Sequence, residues 1–165
     1  MSTIPDHWEV RRLAGALGAE VHGPDISNTS PEDIDAIKSI LLEHMVIFLP
    51  DQSPTAEAHI NFGRHFGELE GHPNLSSDTS LPPELFQLQA SEGGVADEWH
   101  TDLTFQEQPA LMSILHMVEC PDTGGDTLWA SLYAAYNELS DPMKSMCDGL
   151  TALHDALPHN RPEEM

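Results

Sequence analysis

A chain of 165 residues is long enough for one modest domain with its own core, so neither a disulfide framework nor a structural zinc is needed to hold it. Six basic residues stand against 28 acidic ones, a formal net charge of −22, and such a surface repels phosphate backbones, which excludes a nucleic-acid partner. Cys120 and Cys147 lack CxxC spacing and read as small packing residues of a reducing compartment; with no leader-like opening and no apolar run near the roughly 18 residues of a membrane span, the expectation is a cytoplasmic protein with no membrane partner.

In chain order, residues 10–13 and 19–22 predict two short strands around a turn that contains Gly15 and Gly18. Ser30 then caps a helix: Pro31 suits its first position, and Glu32 and Asp33 complement the positive end of its dipole. Ile34, Ile37 and Leu41 recur at helical spacing, with Ile40 widening the buried stripe. Residues 45–49, all apolar and stopped by Pro50, predict a central buried strand.

Ser53-Pro54 predicts the start of a second helix, with Ala58, Phe62 and Phe66 on one side and Gly67 at its end. His59 and His65 on that helix are expected to be surface or half-buried structural residues. Residues 71–83, rich in Ser, Pro and Asn, predict a loop fit to wall a site, with His72-Pro73 in it. Residues 85–90 are a candidate strand, and 91–97, with Gly93-Gly94, a mobile link.

Trp99-His100-Thr101-Asp102-Leu103-Thr104-Phe105 reads as a strand and is the centre of interest. On a strand, residues i and i+2 leave the same face with Cα atoms about 6.6 Å apart, so His100 and Asp102 can reach one ion. Imidazole nitrogen and carboxylate oxygen bind first-row divalent metals, and two histidines with one carboxylate and open positions mark non-haem Fe(II) oxygenases. The triplet alone is a weak signal: ten histidines among 28 acidic residues give about two such triplets by chance, and His7-Trp8-Glu9 is another.

Further on, residues 111–118 predict a strand apolar on both faces, with His116 as a hydrogen-bonded core histidine. A tight turn at 122–126 feeds a strand at 127–129, residues 132–139 predict a helix, and Asp141-Pro142 starts another that Gly149 stops. Short strands with early helices give an α+β fold, a jelly-roll or cupin-like β core carrying helical decoration.

Order and spacing of many segments carry a more specific likeness. Leu17-Gly18-Ala19-Glu20-Val21, Phe62-Gly63-Arg64-His65-Phe66-Gly67, His72-Pro73, Trp99-His100-Thr101-Asp102 with Thr104-Phe105, Gly124-Gly125-Asp126-Thr127-Leu128-Trp129-Ala130-Ser131, Ala134-Ala135-Tyr136 and His154-Asp155 together resemble the TauD/TfdA (taurine dioxygenase) family of Fe(II)- and 2-oxoglutarate-dependent dioxygenases. The resemblance implies a double-stranded β-helix core with N-terminal helices. It also implies Fe(II) on His100 and Asp102, 2-oxoglutarate and O2 as cosubstrates, and Thr127 on the distal carboxylate of 2-oxoglutarate. The reaction it implies couples oxidative decarboxylation of that cosubstrate to hydroxylation of a small organic acid.

Within that likeness, His72 takes the place of a substrate-contacting histidine. Leu75 and Ala96 replace the tyrosine and asparagine of taurine enzymes, so taurine itself is not expected; a longer or less polar sulfonate, an alkyl sulfate or an aryloxyalkanoate stays open. The family's second iron histidine and its cosubstrate arginine lie well over a hundred residues beyond the His-x-Asp pair. His154, His159 and Arg161 come too early to replace them. Residues 1–165 are therefore expected to form one dioxygenase domain that is incomplete at its C-terminus and inactive alone. A non-catalytic binding or scaffold fragment and a two-ligand cupin-like metal protein are the competing readings, and the sequence leaves a homo-oligomer open.

Overall fold

The computed structural model describes residues 3–71, 81–88 and 99–154. Among them, β1 (Glu9–Arg12) and β2 (Ala19–His22) form an antiparallel pair in which Val10 faces Val21 and Arg11 faces Glu20. The Arg11 guanidinium meets the Glu20 carboxylate at 2.9 Å, a cross-strand ion pair on the solvent side, while Val21 points into the core. The expected hairpin is present, with β1 shifted one residue towards the N-terminus.

Helix α1 (Pro31–His44) begins as the sequence predicts and is held more tightly than dipole complementarity alone requires. The Ser30 hydroxyl accepts from the Asp33 amide at 3.1 Å, and the Asp33 carboxylate accepts from the Ser30 amide at 2.9 Å, a capping box built with Asp in the usual Glu position. Its inner face buries Ile34, Ala36, Ile37 and Ile40. Helix α2 (Ala56–Arg64) starts two residues later than Ser53-Pro54 implies, because the Thr55 hydroxyl caps it by accepting from the Ala58 amide at 3.1 Å.

The run at 45–49 departs from the predicted central strand. Met45 takes a left-handed turn at φ 64° to leave α1, and only Ile47–Phe48 form β3, which pairs parallel to β2. In the order β1-β2-β3 it lies at the edge, leaving Phe48 partly exposed. Apolar character asks for burial, and here Ile47 and Leu49 satisfy it in part by packing against the core cluster from the edge of the sheet.

Trp8, Val21, Ile26, Ile34, Ala36, Ile37, Ile40 and Phe62 make the core, with Ile114 packed against it from the later part of the chain. Gly23 bends the chain past Trp8 at φ +115°, where an added Cβ would lie 2.5 Å from the indole Cδ1. Two short helices follow, α3 (Leu132–Asn137), capped by Ser131, and α4 (Asp141–Cys147), after which Gly149 turns at φ +85° as expected.

Three further expectations are corrected. Residues 85–88, 111–118 and 127–129 enter no strand pairing among the described residues. Leu111, Leu115, Met117, Val118 and Leu128 are exposed, so an apolar run alone has not made a strand; a ladder needs a second backbone. His116 is exposed rather than a core residue, and Cys120 is exposed rather than a packing residue. His59 is half-buried and His65 exposed, as the sequence suggests.

Candidate metal centre

Residues 102–105 are a turn and 99–101 enter no strand, in place of the predicted strand over 99–105. Leu103 adopts a left-handed φ of 56°, and its carbonyl accepts from the Gln106 amide at 3.0 Å, closing the chain immediately after Asp102. β-branched and aromatic neighbours favour extension only when a partner strand is present, and Leu103 instead holds a conformation that costs a β-carbon about 1–2 kcal/mol. Such a residue persists where its surroundings hold it.

The turn still brings the two candidate ligands together. His100 Nε2 lies 3.3 Å from Asp102 Oδ1, with both side chains about half exposed. The other carboxylate oxygen, Oδ2, accepts a hydrogen bond from the Ser113 hydroxyl at 3.1 Å. On the far side of the turn, Thr104 Oγ1 and His154 Nδ1 are hydrogen-bonded at 2.8 Å. The His-x-Asp turn is thus pinned from 113 and from 154, neither of which the residue pattern connects to it; the one hint is a lone hydroxyl in the apolar run 111–118.

The supporting segment is anchored in turn. Ile114 packs against the core, and its carbonyl accepts from His59 Nε2 at 3.2 Å. Burial, opposed by that hydrogen bond and reinforced by nearby His116, holds the His59 imidazole below its ordinary pKa. The edge of the His116 ring faces it, with centroids 6.2 Å apart.

Thr127 follows Gly124 and Gly125, which turn at φ +83° and +74°, and is exposed. The segment that follows it is fixed by two contacts to the end of α1 and β3: Trp129 packs edge-on against Phe48 at 5.3 Å, and the Ser131 hydroxyl donates to the Met45 sulfur at 3.4 Å. His72, Leu75 and Ala96 lie outside the described residues, as do His159 and Arg161. No group of three or more His, Cys, Asp or Glu side chains converges on an ion-sized space among the described residues. Nor is any helix among them long and apolar enough to cross a membrane.

Helices packed on a small sheet, with a His-x-Asp turn beside them, are consistent with the class of dioxygenase that the sequence resembles. The chain belongs to the taurine catabolism dioxygenase TauD, TfdA family, whose model matches residues 9–164. It is 36% identical over 158 residues to an alpha-ketoglutarate-dependent sulfate ester dioxygenase of Pseudomonas putida, covering 93% of this chain and 52% of that protein. It is 33% identical over 148 residues to an alkylsulfatase of Acinetobacter baylyi, covering 88% and 46%. The crystal structure of a taurine dioxygenase from Burkholderia xenovorans superposes with a TM-score of 0.67 at 33% identity, over 86% of this chain and 51% of that one. The chain spans about half the length of the curated relatives it matches.

Proposed function

We propose that the chain carries part of the active site of an Fe(II)- and 2-oxoglutarate-dependent dioxygenase that hydroxylates a small organic sulfate or sulfonate. The His100–Asp102 pair supports this reading most directly. Two donors about 2.1 Å from one ion and at right angles stand roughly 3.0 Å apart, and Nε2 and Oδ1 are 3.3 Å apart. The donor chemistry also fits, since a neutral imidazole and a carboxylate suit ferrous iron. When bound with 2-oxoglutarate, the iron supplies oxygen activation driven by decarboxylation of that cosubstrate.

In this reading His100 and Asp102 hold the metal, and the Thr127 hydroxyl donates to the distal carboxylate of 2-oxoglutarate. A charge-assisted hydrogen bond there orients an anion that is costly to leave unpaired. His72 contacts the anionic head of the substrate. On a chain of net charge −22, an anion needs such a local donor. The names of the relatives, a sulfate ester dioxygenase and an alkylsulfatase, favour a sulfate ester over taurine, in line with Leu75 and Ala96.

The wider fold in this proposal is the double-stranded β-helix that the family likeness implies. Among the described residues two iron ligands stand together; in this proposal the third, and the cosubstrate arginine, correspond to the part of the relatives' length that this chain does not span. Alone it binds iron weakly and turns over little. Mixing the chain with Fe(II), 2-oxoglutarate, O2 and a linear alkyl sulfate and following succinate tests this. Robust release from the isolated chain would show that a third ligand lies within it.

A non-catalytic fragment of the same fold is the second reading, suggested by a match to about half the length of the relatives. Anaerobic addition of Fe(II) and 2-oxoglutarate separates the two. The visible band of the iron–cosubstrate chelate develops in a dioxygenase half-site supplied with its missing part, and is absent from a scaffold.

A further inference from the structure

A carboxylate offers two equivalent oxygens and rotates readily about its last torsion, so a metal-binding Asp with no other contact has no preferred oxygen. Asp102 is not in that position. Ser113 Oγ donates to Oδ2 at 3.1 Å, while Oδ1 faces His100 Nε2 at 3.3 Å. The donor is eleven residues away in sequence and sits next to Ile114, whose side chain packs on the core and whose carbonyl is held by His59 at 3.2 Å. The orientation of an exposed carboxylate is thereby inherited from the buried part of the molecule.

We propose that Ser113 is a positioning residue for the metal centre: its hydroxyl occupies Oδ2 of Asp102 and leaves Oδ1 as the oxygen that meets the ion beside His100. This rests on the reading of His100 and Asp102 as ligands. Hydrogen bonds to ligating carboxylates hold them in place, and losing one commonly costs ten- to a hundredfold in metal affinity. Exposure of this pair places Ser113 at the lower end, about tenfold.

The test uses the full 165-residue chain and Mn(II) as the probe, followed by paramagnetic broadening of the Thr101 and Leu103 amide signals, which reads weak binding at this turn without any need for turnover. Ser113→Ala is expected to raise the Mn(II) concentration for half-broadening about tenfold. Ser113→Thr, which keeps the hydroxyl, is expected to restore the wild-type value, with amide signals of α1 and α2 unchanged in both. Equal titrations of wild type and Ser113→Ala, alongside loss of broadening in His100→Ala and Asp102→Ala, would overturn the role of Ser113 alone. No selective broadening in the wild type, or none lost in those two variants, would overturn the ligand reading and the positioning role together.

Discussion

His59 Nε2 donates to the carbonyl of Ile114 across 3.2 Å, so that helix α2 grips the segment that steadies the His100–Asp102 turn. The imidazole is half-buried with His116 beside it, and a proton added to it has to be carried in poor solvation next to a second imidazole.

The pH dependence follows from the lowered pKa of His59. The unfolded chain takes up the proton first, as pH falls below about 6.5, so stability rises with pH through that region. This contribution is fully present above about 6.5 and is lost as pH falls through the depressed folded value. Replacing His59 with Gln, which keeps a donor for Ile114, should flatten the fall of the melting temperature below pH 6.5. An unchanged slope would show that other groups set it.

Gly23 stands where a β-carbon would collide with Trp8. Alanine there meets the Trp8 ring at 2.5 Å and its Cα at 3.2 Å, while holding φ +115°. The left-handed backbone and the overpacked core together predict a loss of about 2–4 kcal/mol. Urea unfolding of Gly23→Ala measures it, and a loss under about 1 kcal/mol would mean that Trp8 moves aside freely.

Ser131 does two things with one hydroxyl: it accepts from the Ala134 amide at 3.1 Å to cap α3, and donates to the Met45 sulfur at 3.4 Å. Ser131→Ala should cost about 1 kcal/mol, mostly the cap. Faster hydrogen exchange at Ala134 should report it, with amides of α1 unaffected.

In the half-site completed by the rest of the dioxygenase and loaded with iron, Thr127→Ala should weaken 2-oxoglutarate binding about tenfold, the worth of one hydrogen bond to a charged group. Anaerobic titration of the visible band reads this. Equal affinity in the variant would make Thr127 an ordinary loop residue.

Elements that rest on neighbours in sequence are legible in the residue pattern itself. Ser30-Pro31 announced α1, the β1–β2 hairpin followed from short apolar runs around a glycine-bearing turn, and Gly149 marked the end of α4. Elements that need a distant backbone are not. The runs at 111–118 and 99–105 have strand-like composition, yet among the described residues neither finds a ladder, and His116 lies exposed in consequence.

The sequence alone determined the family, because order and spacing of many short segments survive without knowledge of how they pack. It also determined that His100 and Asp102 are the pair to watch, because two residues separated by one are never far apart. Only the tertiary structure decided how that pair is held. Ser113 on Oδ2 and His154 on Thr104 both depend on chain segments far apart in sequence meeting in the folded molecule, where Ile114 packs on the core around Val21, Ile37 and Phe62. Such meetings carry no period and no local propensity, which is why no sequence pattern announces them.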